Sequence, residues 1–155
     1  MARLPVILVA AAVVVLLAVQ FQAQRHERRG IEAVNTASDG KATPDVVARG
    51  LDDLEKARRF RADGSGLRSE ANLLLFSGHF AQASRVAREL VDAEPENFDG
   101  WVAMNLASPD RSGPQAKLAR ARALQLNPFG AGSITALEAL PALRQAYRRA
   151  QTRSP

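Results

Sequence analysis

Few side chains in this sequence have the type and spacing that catalysis or metal binding requires. The two histidines, His26 and His79, are far apart, and neither has metal-ligand spacing to another histidine or to a carboxylate pair. Asp52 and Asp53 are adjacent, so they point to different helical faces and are interpreted as surface charge. The glycine-rich segment 63–66 lacks the Lys-Ser/Thr that completes a phosphate loop, and the absence of cysteine excludes thiolate chemistry. We therefore predict a non-enzymatic protein without a cofactor or metal.

Basic charge is concentrated in the last third of the chain. The net charge is +5, yet residues 111–155 contain eight basic residues and only Glu138 as an acid. Such asymmetry can mark contact with anionic lipid or nucleic acid, although a solvated helix face is the favoured interpretation. Nucleic acid is not expected, because this third contains only two aromatic residues that could stack on bases. The residues predicted to contact lipid are Arg144, Arg148 and Arg149.

An uncharged apolar segment spans residues 4–21, after a short tail of residues 1–3. A helix of about 18 residues at about 1.5 Å each reaches about 27 Å, just enough for a hydrocarbon core of about 30 Å. We predict a single-pass transmembrane helix that acts as a signal anchor in a bacterial cell membrane and contacts the lipid bilayer through residues 4–21. A cleaved signal peptide is the alternative, although the apolar core is long and bulky Phe21 makes a poor cleavage site.

The side of the membrane on which the soluble domain lies stays open. Arg25, Arg28 and Arg29 outnumber Arg3, which by the positive-inside rule favours a cytoplasmic domain. The very short tail before the apolar segment is typical of an anchor that exports the domain on its C-terminal side, and we lean slightly to the outer face.

The remaining elements all have helical periodicity. Residues 22–44 are predicted to be a juxtamembrane helix to about Val34 and then a loop, with Thr43 or Asp45 as the cap of the next helix and Pro44 in its first turn. Apolar residues at three-four spacing form the stripe of that helix. They are Val46, Val47, Gly50, Leu51, Leu54, Ala57 and Phe60, and residues 62–66 end the helix.

The central stretch from Leu67 to Trp101 predicts an antiparallel helix pair hinged at Gly78 to Phe80. A new helix comes next, capped by Asn97 or Asp99 and interrupted at residues 108–114, and residues 115–126 resume helical spacing. Residues 129–155 are predicted to be a basic capping helix and tail, with Ser133 as the cap. Pro141 predicts a kink in that helix or its division in two.

Pro95 and Pro128 close two similar segments and are 33 residues apart. A helix-turn-helix period of about 34 residues is the signature of tetratricopeptide repeats, and the chain resembles that family over residues 45–128, best over 64–97. It departs from the pattern in the second repeat, where the first helix is truncated and Asn105 takes a small-residue position. The landmarks that carry the resemblance are Ala71, Gly78, Phe80, Ala83, Ala87, Pro95, Trp101, Ala116, Ala123 and Pro128.

The resemblance implies binding of a protein or peptide partner in a groove lined by the first helices of the repeats. The groove positions are Arg68, Asn72, Leu75, Phe76, Asp99 and Val102. This mixture suits an extended or helical peptide, with Arg68 available to an acidic group. The alternative, equally weighted, is that these residues only pack against the N-terminal helix or its loop.

Together these features predict a membrane-tethered helical-repeat adaptor for protein–protein interaction at the bacterial cell envelope. One alternative is a cleaved, exported soluble repeat protein. Another is an accessory subunit of an envelope machine that assembles or exports polysaccharide, with its membrane contact through Ala10, Ala11 and Ala12.

Overall fold

The computed structural model describes residues 3–60, 64–108 and 110–151, with side chains from residue 12 to residue 149 of those ranges. These residues form eight α-helices and no β-strand, which confirms the predicted all-α class. The helices are α1 (Arg3–Ser38), α2 (Pro44–Arg58), α3 (Ser65–Ser77), α4 (Phe80–Ala93), α5 (Phe98–Ala107), α6 (Pro114–Leu126), α7 (Ala131–Ala139) and α8 (Pro141–Gln151), and a 3-10 turn (Pro128–Gly130) joins α6 to α7.

Helices α1 to α6 pair in sequence as three antiparallel hairpins that lie side by side, here called the array. Within the hairpins α1 packs on α2, α3 on α4 and α5 on α6, and the first helices α1, α3 and α5 also contact one another in order. Small residues set the spacing of the first hairpin, because a Cβ on Gly50 would lie 2.5 Å from the Cβ of Ala33. The backbones of α1 and α2 therefore approach too closely for a side chain at residue 50 to fit between them.

We name the two ends of the array by the direction of α1. This helix enters the array at the lower end and finishes at Ser38 at the upper end. At the lower end, Ser65 Oγ lies 3.5 Å from Glu27 Oε1, and the N–H of Gly64 donates to Glu94 at 2.8 Å. The 3-10 turn lies at the same end, because a Cβ on Gly130 would meet the ring of Phe98. The upper end carries the tight turns of the hairpins, including Gly40 and Gly78.

Several predicted helix ends are confirmed. Thr43 caps α2 by accepting from the N–H of Val46, and Asn97 caps α5 by accepting from the N–H of Gly100. Gly78 ends α3 in the left-handed region with φ 84°, which explains why glycine stands at the predicted hinge. Pro141 divides the last helix in two, with α7 ending at Ala139.

Other predicted boundaries were wrong. Residues 35–38 belong to α1 and not to a loop, because Ala37 is buried and Thr36 and Ser38 donate to carbonyls of their own helix. Phe60 lies beyond the end of α2 and is exposed, so it is no part of the apolar stripe. Ser133 does not cap a helix, since α7 already begins at Ala131 after the turn that packs on α5. Predictions for residues 61–63 and for the terminal tails at 1–2 and 152–155 lie outside the described residues.

Candidate partner-binding and membrane-facing surfaces

The predicted groove is partly closed by the chain itself. Leu75 and Val102 are 1% and 4% exposed and belong to one apolar cluster with Ile134 of α7 and Leu143 of α8. The C-terminal helices therefore share a core with the first helices α3 and α5. A partner cannot contact Leu75 or Val102 while α7 and α8 are docked, and the partner-binding role of all six groove residues stays a prediction.

The polar groove positions lie nearer the lower end. The guanidinium of Arg68 donates to the carboxylate of Asp99 at 3.0 Å, and both side chains are about half exposed. This pair joins neighbouring first helices, and an exposed pair of this kind contributes only about 0.2–1 kcal/mol to stability. Asn72 and Phe76 are partly exposed above it. Arg68 is thus available to an external carboxylate only in competition with Asp99.

Tyr147 fixes α8 across the upper end of the array. Its ring stacks on Phe80 with centroids 4.7 Å apart, and its hydroxyl donates to the carbonyl of Leu106. The Arg111 guanidinium lies 5.1 Å from the ring centroid and also pairs with Glu138 of α7. Tyr147 is not among the candidate residues that the sequence indicated, because its partners come from three other segments.

Burial raises the pKa of Tyr147 above its ordinary value, although the charge of Arg111 opposes that shift. A raised pKa means that the neutral hydroxyl is favoured in the folded state. The contribution of the neutral Tyr147 hydroxyl to stability is therefore complete below the unfolded-state pKa of about 10. It is lost as the pH rises through the folded-state pKa.

We expect Tyr147→Phe to lower the free energy of unfolding by about 1 kcal/mol at neutral pH, because one hydrogen bond is lost while the ring stacking remains. The difference between wild type and variant should shrink above about pH 10. Denaturant unfolding of both proteins at a series of pH values measures this difference. A difference that is constant across the series would contradict the role of the hydroxyl.

A cleft of about 650 Å³ lies beside α8 at the upper end. Its floor is apolar and includes Val47, Leu51 and Phe76, and its charged or titratable lining residues are Arg149 and His79. The volume lies in the range of about 300–1,000 Å³ that is usual for ligand pockets. Within the described chain this cleft combines apolar surface with basic groups and no carboxylate.

The histidines lie in separate environments. His26 pairs with Asp53 across α1 and α2, with Nδ1 2.6 Å from Oδ1, and exposed His79 lies 3.1 Å from the hydroxyl of Ser77 in the α3–α4 turn. Across the described residues no group of three or more His, Cys, Asp or Glu side chains could hold a metal ion.

Asn105 is the buried polar side chain of the array. Its Nδ2 donates to the carbonyl of Ala116 at 3.0 Å, while its Oδ1 has no hydrogen-bond partner within the described chain. An unpaired buried acceptor costs about 1–3 kcal/mol. Asn105 stands where the repeat pattern predicts a small residue. We expect its unpaired Oδ1 to lower the free energy of unfolding.

Comparison with known proteins identifies no relative. No family model matches the chain, and neither the curated proteins nor the solved structures contain a match. The resemblance to tetratricopeptide repeats therefore rests on the landmark residues alone.

The lower half of α1 projects from the array. Val13 to Leu17 are each 49–65% exposed, and five successive helical residues cover the whole circumference. The first buried side chain described along α1 is Ala23. Part of the predicted transmembrane segment, residues 4–11, lies outside the described side chains. Within the described residues, no helix has both the length and the apolarity needed to cross a membrane.

The arginines predicted to contact lipid lie at the other end of the molecule. Arg144, Arg148 and Arg149 are exposed on α8, which packs near Gly40 just beyond the end of α1. From Phe21 to Ser38 the helix rises by about 26 Å at about 1.5 Å per residue. A bilayer around the apolar half of α1 would be far from these three side chains.

Proposed function

We propose that the protein is a membrane-tethered helical-repeat adaptor, non-enzymatic, that binds a protein partner at the bacterial cell envelope. The observation that carries this proposal is the continuity of α1. Its lower half exposes Val13 to Leu17 around the whole helix, and its upper half, from Ala23, is an integral part of the array. A helix that is apolar on every face needs an apolar environment, which lipid hydrocarbon supplies.

The array supports the binding role because stacked helical hairpins present extended surfaces to other proteins. Two surfaces are available to a partner: the lower part of the groove around Arg68 and Asn72, and the upper cleft over Val47 and Leu51. The tether raises the local concentration of adaptor and partner at the same membrane. Lipid contact by the arginines of α8 is not retained, because the tether holds them away from the bilayer.

The tether is tested by membrane fractionation with mass spectrometry of the N-terminus. We expect the intact chain in the membrane pellet and the double variant Val14→Lys with Leu16→Lys in the soluble fraction, since a lysine near a bilayer centre costs about 2.5–3.5 kcal/mol. Leu118→Lys is the matched control, because Leu118 is 66% exposed but lies on α6. A soluble chain that begins after residue 21 would instead identify the exported, cleaved form.

The adaptor role is tested by photo-crosslinking in cells from Ala48 in the cleft and from Asn72 in the groove, with exposed Ala121 on α6 as control. A discrete crosslinked protein from Ala48 or Asn72, absent from Ala121, is the expected result. The adaptor hypothesis fails if neither position crosslinks to a protein while the chain is in the membrane pellet. A further crosslinker at Ala11, in the apolar segment, tests the accessory-subunit alternative, which crosslinks confined to that position would favour.

A further inference from the structure

Two phenylalanine side chains are exposed at the lower end of the array. Phe129 is 93% exposed in the 3-10 turn after α6, and Phe60 is 51% exposed just after α2. Neither belongs to the apolar clusters of the core. A single exposed ring needs no explanation, and what distinguishes these two is that both lie at the end of the array from which the apolar half of α1 leaves.

The register of the first hairpin brings Phe60 level with Phe21. A Cβ on Gly30 would meet Leu54, one on Gly50 would meet Ala33, and His26 pairs with Asp53, so α2 runs down α1 residue by residue. Continuing this register past the end of α2 at Arg58 puts Phe60 at about the height of Phe21, where the apolar half of α1 leaves the array.

Phe129 lies at the same end of the array, on its far side. Two interhelix spacings of about 8–10 Å separate α1 from α5 and the turn that comes after α6. A helix tilt of about 20°, the average for membrane spans, towards that side lowers the far edge by about 6 Å. This is comparable with the depth of one headgroup layer, because headgroups add about 10–15 Å to a bilayer over both faces.

Basic side chains stand just above this level. Arg25, Arg28 and Arg29 are exposed on α1 immediately above the apolar half, and in the described chain none of them has an ion-pair partner. Arginines next to an apolar helix are attracted by anionic headgroups, while aromatic rings favour the interface between headgroups and hydrocarbon. Aromatic and basic groups thus coincide beside α1, whereas the α4–α5 side of the same end carries the carboxylates of Asp92, Glu94 and Glu96.

We infer that the lower end of the array is a bilayer-docking surface, in which Phe60 and Phe129 enter the interfacial layer and Arg25, Arg28 and Arg29 contact anionic headgroups. This inference rests on the proposed tether and adds a second, peripheral contact to it. The docked array would stand with its hairpins upright on the membrane and its upper cleft facing away from it.

Spin labelling of the full chain tests the inference, and the absence of native cysteine allows single labels. Cysteines replace Phe60, Phe129, Leu118 and Leu16 in separate variants, whose unfolding is compared with that of wild type. Each label is measured in vesicles of phosphatidylethanolamine and phosphatidylglycerol by its collision rates with oxygen and with a water-soluble nickel chelate. Leu118 is the control, because it is apolar and exposed but remote from the lower end.

We expect labels at Phe60→Cys and Phe129→Cys to be reached by oxygen and protected from nickel, whereas Leu118→Cys stays open to nickel. If Leu16→Cys is protected while positions 60 and 129 are as open as position 118, the docking surface is refuted and the tether stands. If Leu16→Cys is itself open to nickel, the tether and the docking surface both fail. These outcomes separate the two proposals.

Discussion

Gly50→Ala lowers the free energy of unfolding by about 2 kcal/mol, the net of overpacking at about 3 kcal/mol and a gain of about 1 kcal/mol in helix propensity. The added Cβ would lie 2.5 Å from the Cβ of Ala33 and 2.9 Å from Leu73 Cδ2. Ala33 has no rotamer through which it could move aside, so α1 and α2 must separate. Denaturant unfolding in mild detergent, monitored by the fluorescence of Trp101, measures the change.

Gly132→Ala is the matched control for this prediction. Gly132 also lies within a helix, α7, but a Cβ there would meet nothing within 4 Å. The substitution should therefore stabilise the protein through helix propensity alone, by at most about 0.5–1 kcal/mol, the value for a mid-helix position, because Gly132 is the second residue of α7. If Gly50→Ala and Gly132→Ala changed the free energy of unfolding in the same direction, the close approach of α1 and α2 would not be what limits stability.

Asn105→Asp is expected to destabilise the protein by about 3–4 kcal/mol at neutral pH and by much less below about pH 4. A carboxylate at this buried position would face the carbonyl of Ala116, which now accepts from the Asn105 amide. Only the protonated acid could replace that donor, so the folded-state pKa of the new side chain would be raised.

The pH dependence is set by the sign of that shift. A group with a raised folded-state pKa loses its favourable contribution as the pH rises from the unfolded value, about 3.9, towards the folded one. Unfolding free energies of the variant relative to wild type between acidic and neutral pH measure the loss. Asn105→Ala serves as control, because its difference from wild type should not change with pH. A flat difference for Asn105→Asp would mean that residue 105 is hydrated.

The local elements of this fold were largely predictable. The caps at Thr43 and Asn97, the hinge at Gly78 and the division at Pro141 each depend on the chemistry of a few neighbouring residues, and the structure confirms them. Periodicity was equally informative for α4, whose Ala83, Ala87 and Leu90 are buried as their spacing indicates.

Boundaries that depend on tertiary contacts were predicted less well. Asn35 to Ser38 have the composition of a loop, but burial of Ala37 against α2 outweighs that preference. The path of the chain after Pro141 could not be predicted, because the anchor of α8 is Tyr147 and its partners Phe80 and Leu106 lie far away in sequence. For the same reason the sequence did not indicate that C-terminal helices would cover Leu75 and Val102.

The unbroken course of α1 determines how far an anchored array can reach. Between Phe21 and Ser38 the helix contains no proline and no interruption. A flexible linker would let the array sample a range of heights above the bilayer, whereas a continuous helix acts as a semi-rigid spacer. Under the proposed tether, the upper cleft is therefore held at a nearly constant distance from the membrane. Only a partner whose own membrane geometry brings its binding segment to that height would be captured.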